Sequence, residues 1–366
     1  MIEIAIVGCG YWGPNLIRNF NSLEGCKVKI ACDLDENRLA HLRTLYSGLE
    51  TTTEYDRLLE DKAIDAIAIA TPVHLHYEMA RKSLLAGKHT FIEKPMASSA
   101  AECKDLIKLA KTQQLTIIVG HTFIYSPSVR KIKDIVRAGD LGEIQYISAR
   151  RLNLGLFQTD INVTWDLAPH DISIIIYVLD RIPISVNCQG KAHVNPNIED
   201  VTGMTLNFNN GAFATIQSSW LDPNKIREMT FVGSKRMLVY NDVEPIEKIK
   251  IYDKRVETPP HYDTFAEFHY SYHYGDMYAP YIKQYEPLRL ECQEFLDSIK
   301  TGLKPETGGL EGLHIVQILE AASKSLKNNG AMVKIDQVNQ TEIFIEDNQP
   351  VDVVDSKDPL YGSGRV

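Results

Sequence analysis

The stretch Ile2-Glu3-Ile4-Ala5-Ile6-Val7-Gly8-Cys9-Gly10-Tyr11-Trp12-Gly13-Pro14 decides how the N-terminal part of the chain folds. A strand-like run, Ile2 to Val7, leads straight into a Gly-x-Gly-x-x-Gly triplet, which opens a helix at Pro14. Glycine triplets occur by chance, so the flanking strand and helix carry the reading. The first glycine allows a tight turn and the second lets backbone approach a pyrophosphate. The third lets helix pack on strand, and the helix N-terminus then faces the anion. Asp33 ends a second strand twenty residues past Gly13. A carboxylate there can accept both hydroxyls of an adenine ribose and would repel a 2′-phosphate, so the expected cofactor is NAD. Asp35 competes for that role but sits better as the cap of a helix over Glu36–Tyr46.

Outward from this motif the chain alternates short apolar runs with amphipathic segments. Strands are expected at Val28–Cys32, Ala66–Ala70, Thr90–Ile92 and Thr116–Val119, with helices at Pro14–Asn21, Tyr55–Leu59, Tyr77–Ala86 and Ala100–Thr112. That rhythm predicts a doubly wound parallel sheet of Rossmann type over residues 1–122. Past Gly120 it changes. A helix (Ser128–Ala138) and a strand (Ile144–Leu152) precede a helix with Ile172, Ile175, Ile176 and Leu179 on one face. Strands then dominate, at Ser185–Ala192, Asp200–Phe208, Ala212–Ser219, Arg227–Gly233 and Met237–Tyr240. Helices close the pattern at Leu288–Lys300 and Gly309–Lys327. The expected fold is α/β, with a second, α+β domain over 123–336 built on an open, mostly antiparallel sheet. Residues 337–366 form an acidic tail of no assigned role, with one short strand expected at Glu342–Glu346.

Composition narrows the function classes. A chain of 366 residues suits two domains, and 44% apolar with 24% charged residues is ordinary for a folded protein. The net charge of −9 argues against a general partner among nucleic acids or anionic membranes. Six scattered cysteines with no Cys-x-x-Cys pair read as small apolar fillers in a reducing compartment, not as a disulfide frame or metal site. No signal peptide or spanning segment is recognisable, so a cytoplasmic location is expected. The segment His261–Tyr285 is crowded with His and Tyr, including His269 and His273. It reads as aromatic packing or an arm reaching across a subunit interface, with no third ligand for a metal.

Ala70-Thr71-Pro72 with His76, then Ala86-Gly87-Lys88-His89 running into Glu93-Lys94-Pro95, make a long and specific string. On these residues the chain resembles the Gfo/Idh/MocA oxidoreductases, named for glucose–fructose oxidoreductase and inositol dehydrogenase. The resemblance runs from Ile2 to about Ile335. It implies a catalytic role for Lys94, a cis bond before Pro95, and a nicotinamide and ribose pocket lined by Thr71, Pro72, His76 and Glu93. Lys94 follows a buried strand at the carboxyl end of the sheet, where an ammonium can stabilise a developing alkoxide. His74 reads as a solvent-facing neighbour.

The second catalytic element is Asp166-Leu167-Ala168-Pro169-His170, where the resemblance makes the histidine a general acid/base. Pro169 suits a first helical position, which would put His170 in the first turn, where the helix dipole keeps imidazole neutral. Asp166 reads either as an orienting group for the lysine or a sugar hydroxyl, or as an N-cap; Asp171 reads as a favourable first-turn charge. Many relatives carry an arginine where Ile124 stands, so that substrate contact does not transfer; His121 and Tyr125 are placed as its replacements. The stretches Arg151–Phe157, Asn162–Asp171 and Tyr285–Leu288 leading into Glu291 resemble a nucleotide-sugar branch. Its members oxidise the 3-hydroxyl of a UDP-N-acetylhexosamine, here expected to be UDP-N-acetylglucosamine, ahead of an aminotransferase. Arg151 and Asn153 are then the candidate contacts to diphosphate or sugar, with a surface role the alternative for Arg151. An inositol or free-sugar dehydrogenase, a 3-keto sugar nucleotide reductase and a catalytically silent NAD-binding regulator are the competing readings. The resemblance also implies a homodimer or homotetramer joined through the open sheet face.

Overall fold

The structure, a computed structural model, describes residues 1–257 and 271–336. Six strands, β1 (Ile2–Val7), β2 (Cys26–Cys32), β3 (Glu50–Thr52), β4 (Ala66–Ile69), β5 (His89–Glu93) and β6 (Ile117–Gly120), form one sheet. All pair in parallel, in the order β3-β2-β1-β4-β5-β6. Helices α1 (Gly13–Asn21), α2 (Glu36–Leu45), α3 (Tyr55–Glu60), α4 (Val73–Leu85) and α5 (Ala100–Thr112) make the crossovers. β4 and β6 are buried along their whole length, which is why they read as unbroken apolar runs. The strand order reverses between β1 and β4, and that reversal opens a crevice at the carboxyl ends of the strands.

Two differences from the sequence reading concern this sheet. β3 was not expected, because three polar residues on a sheet edge carry no apolar signal. α4 begins at Val73, four residues before the expected start, since Val73 and His76 are already buried against the sheet.

Beyond a 3₁₀ turn (Thr122–Tyr125), α6 (Pro127–Arg137) and β7 (Ile144–Leu152) lead to α7 (Val163–Leu179). The strands β8 (Ser185–Lys191), β9 (Val201–Asn207), β10 (Phe213–Ser219), β11 (Ile226–Gly233), β12 (Met237–Asn241), β13 (Ile249–Glu257) and β14 (Ser271–Tyr278) follow. Helices α8 (Pro287–Thr301) and α9 (Gly309–Lys327) and the short β15 (Val333–Lys334) end the described chain. The second sheet has the order β14-β13-β12-β11-β7-β10-β9-β8-β15, with only β7 and β10 parallel. Its inner face meets α6, α7 and α9 through Ile147, Ala149, Ile172, Ile175, Ile318 and their neighbours. On its outer face, among the described residues, Tyr146 and Phe213, paired across β7 and β10, stack at 5.6 Å and are exposed.

β13 and β14 were not expected; the His/Tyr-rich segment contributes β14, where His273 bonds Asp253 at 3.0 Å. Residues 258–270, His269 among them, and the strand expected at Glu342–Glu346 lie outside the described residues. α8 does not stay with the second sheet. It returns to the first, placing Leu288, Cys292, Phe295 and Leu296 in the same core as Phe20 and Phe91. The three phenylalanine rings meet edge to face, with centroids 5.9 to 6.3 Å apart.

Candidate active site

The turn after β1 is built on Gly8, whose φ of +88° suits glycine; a Cβ there would lie 2.5 Å from the Ala70 carbonyl oxygen at the end of β4. Pro14 occupies the first turn of α1, where its missing N–H costs nothing. Tyr11 is exposed beside the half-buried Trp12, their rings meeting edge to face at 5.4 Å. Asp33 follows β2. Its Oδ2 accepts from Cys9 N at 2.6 Å and, at 3.4 Å, from Arg38 Nη1, and its Oδ1 accepts from Asp35 N at 2.8 Å, which leaves Oδ1 a lone pair for a ribose hydroxyl. Asp35 caps α2 by accepting from Asn37 N. Arg38, not weighed from sequence, stands 3.4 Å from Asp33 and 3.5 Å from Asp35.

β5 delivers Lys94 to the crevice, and the Lys94–Pro95 bond is cis. Lys94 Nζ donates to the Asp166 carbonyl oxygen at 2.8 Å and lies 3.3 Å from Asp166 Oδ1. The contact joins residues 72 positions apart, one from each sheet system. Pro169 lies inside α7 and cannot donate to the Trp165 carbonyl, whereas the Asp166 carbonyl next to it takes Lys94 with a lone pair of its own. Asp166 Oδ2 accepts from the indole of Trp220, a buried side chain the sequence reading did not single out. The carboxylate therefore holds its position between an ammonium and an indole N–H.

His170 is not in the first turn, as expected from Pro169. α7 starts at Val163, capped by Asn162, whose side chain accepts from Trp165 N. Asp166 is thus within the first turn, and the cap reading for it is corrected. The dipole argument for a neutral His170 falls with the misplaced start. Burial holds its imidazole well below the ordinary histidine range, and the nearby cations Lys94 and Arg151 lower it further. Its ring packs on Phe123 at 4.9 Å, and Nδ1 is buried without a partner although the ring is partly exposed.

Several expected contacts take other places. Arg151 is 4% exposed and grips Asp171 with two hydrogen bonds of 2.8 Å, so its fork is committed inside the protein, not to a diphosphate. Asp171 is correspondingly the buried half of an ion pair, not a first-turn surface charge. Tyr125 is buried, bonding Glu294 and, at 2.9 Å, Thr307, and cannot contact substrate. His121 is fully enclosed, with both ring nitrogens unpartnered. Glu93 is enclosed too: its Oε2 lies near Lys94 N and its Oε1 has no partner, so it backs the site.

His76, 1% exposed, does not line a pocket; its ring nitrogens lie 2.8 Å from the carbonyl oxygens of Thr71 and Pro95, tying the turn after β4 to that after β5. Thr71 is partly exposed, and Pro72 and His74 are exposed. Asn153 stays partly exposed beside Gly155, which packs on Trp220. Glu291, quoted from sequence only for the branch resemblance, is fully buried on α8, a place the sequence reading did not give it. Glu291 was readable in principle, since it interrupts an apolar helical stripe of Leu288, Cys292 and Phe295. Among the described residues no group of three or more His, Cys, Asp or Glu is arranged to hold a metal ion, and no helix is long and apolar enough to cross a membrane.

Residues 2–121 match the oxidoreductase family with an NAD-binding Rossmann fold, and residues 129–239 match the GFO/IDH/MocA C-terminal domain. The chain belongs to the Gfo/Idh/MocA oxidoreductase family. As in other Gfo/Idh/MocA proteins, its first sheet is an NAD-binding Rossmann fold. The chain is 27% identical over 344 residues to the uncharacterized oxidoreductase YrbE of Bacillus subtilis, covering 89% of this chain and 94% of that one. Among solved structures it is similar to UDP-N-acetylglucosamine 3-dehydrogenase GnnA from Acidithiobacillus ferrooxidans, with a TM-score of 0.73 and 22% identity over 90% and 98% of the two chains. A levoglucosan dehydrogenase in complex with NADH and levoglucosan gives a TM-score of 0.77 and 18% identity over 92% and 100%. At such identities the likeness concerns fold.

Proposed function

We propose that this chain is a dehydrogenase for a sugar hydroxyl, and that the reacting site is the crevice where Lys94, Asp166 and His170 converge. The observation that carries the reading is the Lys94–Asp166 contact, which holds an ammonium at the crevice near His170, a partly exposed imidazole that burial and Lys94 keep well below the ordinary histidine range. In this reading Gly8, Gly10, Tyr11, Trp12 and Gly13 offer the pyrophosphate its turn and helix N-terminus, Asp33 takes the ribose, and Thr71 and Pro72 border the nicotinamide end. Bound NAD supplies the hydride acceptor. Lys94 stabilises the oxygen as negative charge grows on it, His170 takes the hydroxyl proton, and Asp166 holds Lys94 in place.

The substrate proposed is a UDP-N-acetylhexosamine, oxidised at its 3-hydroxyl to a ketone that an aminotransferase would consume. The motif resemblance and the fold shared with a UDP-N-acetylglucosamine 3-dehydrogenase support it. One observation favours a second reading, a free sugar or cyclitol: the Arg151 expected for a diphosphate is spent on Asp171. The outer face carrying Tyr146 and Phe213 suits contact with a second copy of the chain.

The deciding experiment follows reduced-nicotinamide absorbance with NAD⁺ and UDP-N-acetylglucosamine, UDP-glucose, myo-inositol or free hexoses, each with a ketone trap. Signal with the UDP-N-acetyl sugar alone supports the first reading, and signal with inositol or hexose selects the second. Silence with all of them, despite NAD binding, replaces both with a non-catalytic NAD-binding role.

A further inference from the structure

Nine buried side-chain nitrogen or oxygen atoms lack a partner among the described residues, and five of them belong to Glu93, His121, His170 and Glu291. Atoms of this kind are costly to bury unless they hold ordered water or serve chemistry. One segment of backbone connects the four residues. Gly120 pairs with Glu93 in the sheet, and its missing Cβ leaves room for the Glu93 carboxylate, whose Oε2 lies 2.9 Å from where that Cβ would be. His121 comes next. Thr122 then donates to Glu291 Oε2 at 2.7 Å, and Phe123 supplies the ring on which His170 packs. A line of proton-carrying groups thus runs from the crevice to α8 behind it.

Resting on the dehydrogenase reading above, we propose that this line is a proton relay, in which Glu93, backed by Glu291, receives through His121 the proton that His170 takes from the substrate. The substrate O–H bond breaks as an N–H bond forms on His170 at its crevice side, and His170 gives up the proton on Nδ1. His121 gains a proton at one ring nitrogen and releases one from the other, and an O–H bond forms on the Glu93 carboxylate. These atoms have no hydrogen-bond partner among the described residues, so each transfer runs over water, and no electrons move along the line. The charges around it favour this direction. Burial lowers both histidines, His121 to about 3, and Lys94 opposes a lasting positive charge on either; Arg151 and Arg227 add to this at His170. Burial pushes Glu93 up to about 7, against the pull of Lys94, so it is poised to accept at neutral pH. Burial and the charge of Glu93 hold Glu291 well above the carboxylate range, with Glu294 adding and Thr122 opposing. Cys292 and Tyr125, also facing Glu291, are themselves raised by burial and stay protonated. At rest Glu291 therefore carries a proton and Glu93 is ionised in part; after transfer both are neutral.

Two measurements test the relay. The first is the infrared carbonyl stretch of protonated carboxyls in the purified protein without cofactor or substrate, titrated from pH 5 to 9. A band that persists at pH 6 and titrates near neutrality in wild type, and is lost from that range in Glu93→Gln, is expected; Glu291→Gln should remove the part that persists at higher pH. Absence of any protonated carboxyl above pH 6 overturns the relay while leaving the dehydrogenase reading intact. The second is turnover. Glu93→Gln should lower kcat about tenfold or more with little change in KM and a larger solvent deuterium isotope effect, and Glu93→Asp should restore much of it. Wild-type kcat in a Gln variant of unchanged melting temperature overturns the relay. A wild-type chain inert with every sugar overturns relay and dehydrogenase reading together.

Discussion

His76 Nδ1 lies 2.8 Å from the carbonyl oxygen of Pro95, and the other ring nitrogen lies 2.8 Å from that of Thr71. Both partners can only accept, and burial lowers the basicity of the ring, so a neutral His76 donates to one carbonyl at a time. The histidine clamps the peptide that carries Lys94 to the turn beside the cofactor crevice. His76→Ala should therefore lower kcat about tenfold or more while changing the dissociation constant for NAD much less. Parallel losses in both would mean that His76 supports the crevice as a whole and not the lysine.

Lys94→Ala and His170→Ala should each reduce turnover by about a hundredfold or more, with NAD affinity nearly unchanged in calorimetry. Near-normal turnover in either variant removes that residue from the chemistry.

Asp33 and Arg38 pull cofactor choice in opposite directions, because a carboxylate repels a 2′-phosphate and a guanidinium attracts it. Asp33→Ala frees Arg38 from its closest acid. The ratio of kcat/KM for NADP over NAD should rise about tenfold or more, and Arg38→Ala in the same background should bring it back down. An unchanged ratio would place the ribose contact elsewhere, with Asp35 the first residue to examine.

Glu93 also makes stability depend on pH. Its ordinary value near 4.5 rises to about 7 in the folded chain, so the folded state binds the extra proton between those values. Its contribution is fully present below about 4.5 and is lost as pH rises through 7. His121 acts oppositely: lowered from 6.5 to about 3, it contributes above 6.5 and loses that contribution as pH falls. Between pH 6 and 8 the melting temperature of wild type should therefore fall relative to Glu93→Gln, as scanning calorimetry would show. Parallel curves would mean that Glu93 titrates as an ordinary carboxylate.

What could be read from the sequence follows what is local. Strands such as β4 and β6 announce themselves because both faces are buried. Gly8 and Lys94 stand in strings of neighbouring residues whose spacing carries the meaning. β3 is silent because its three residues have no apolar face, and the start of α7 was misplaced because Pro169 is equally legible as a helix opener. Contacts across the chain were out of reach. Nothing near Arg151 says that Asp171 will take its fork, and nothing near Asp166 says that Trp220 will hold its carboxylate.

The return of α8 to the first sheet matters while the chain is being made. Phe20 and Phe91 emerge from the ribosome more than two hundred residues before Phe295, the ring that packs on both. Until then the nascent Rossmann sheet presents a bare aromatic patch, and the second sheet is synthesised in the interval. The nucleotide-binding half is thus sealed by one of the last helices to appear, which makes the waiting intermediate the stage at which a chaperone has something to hold.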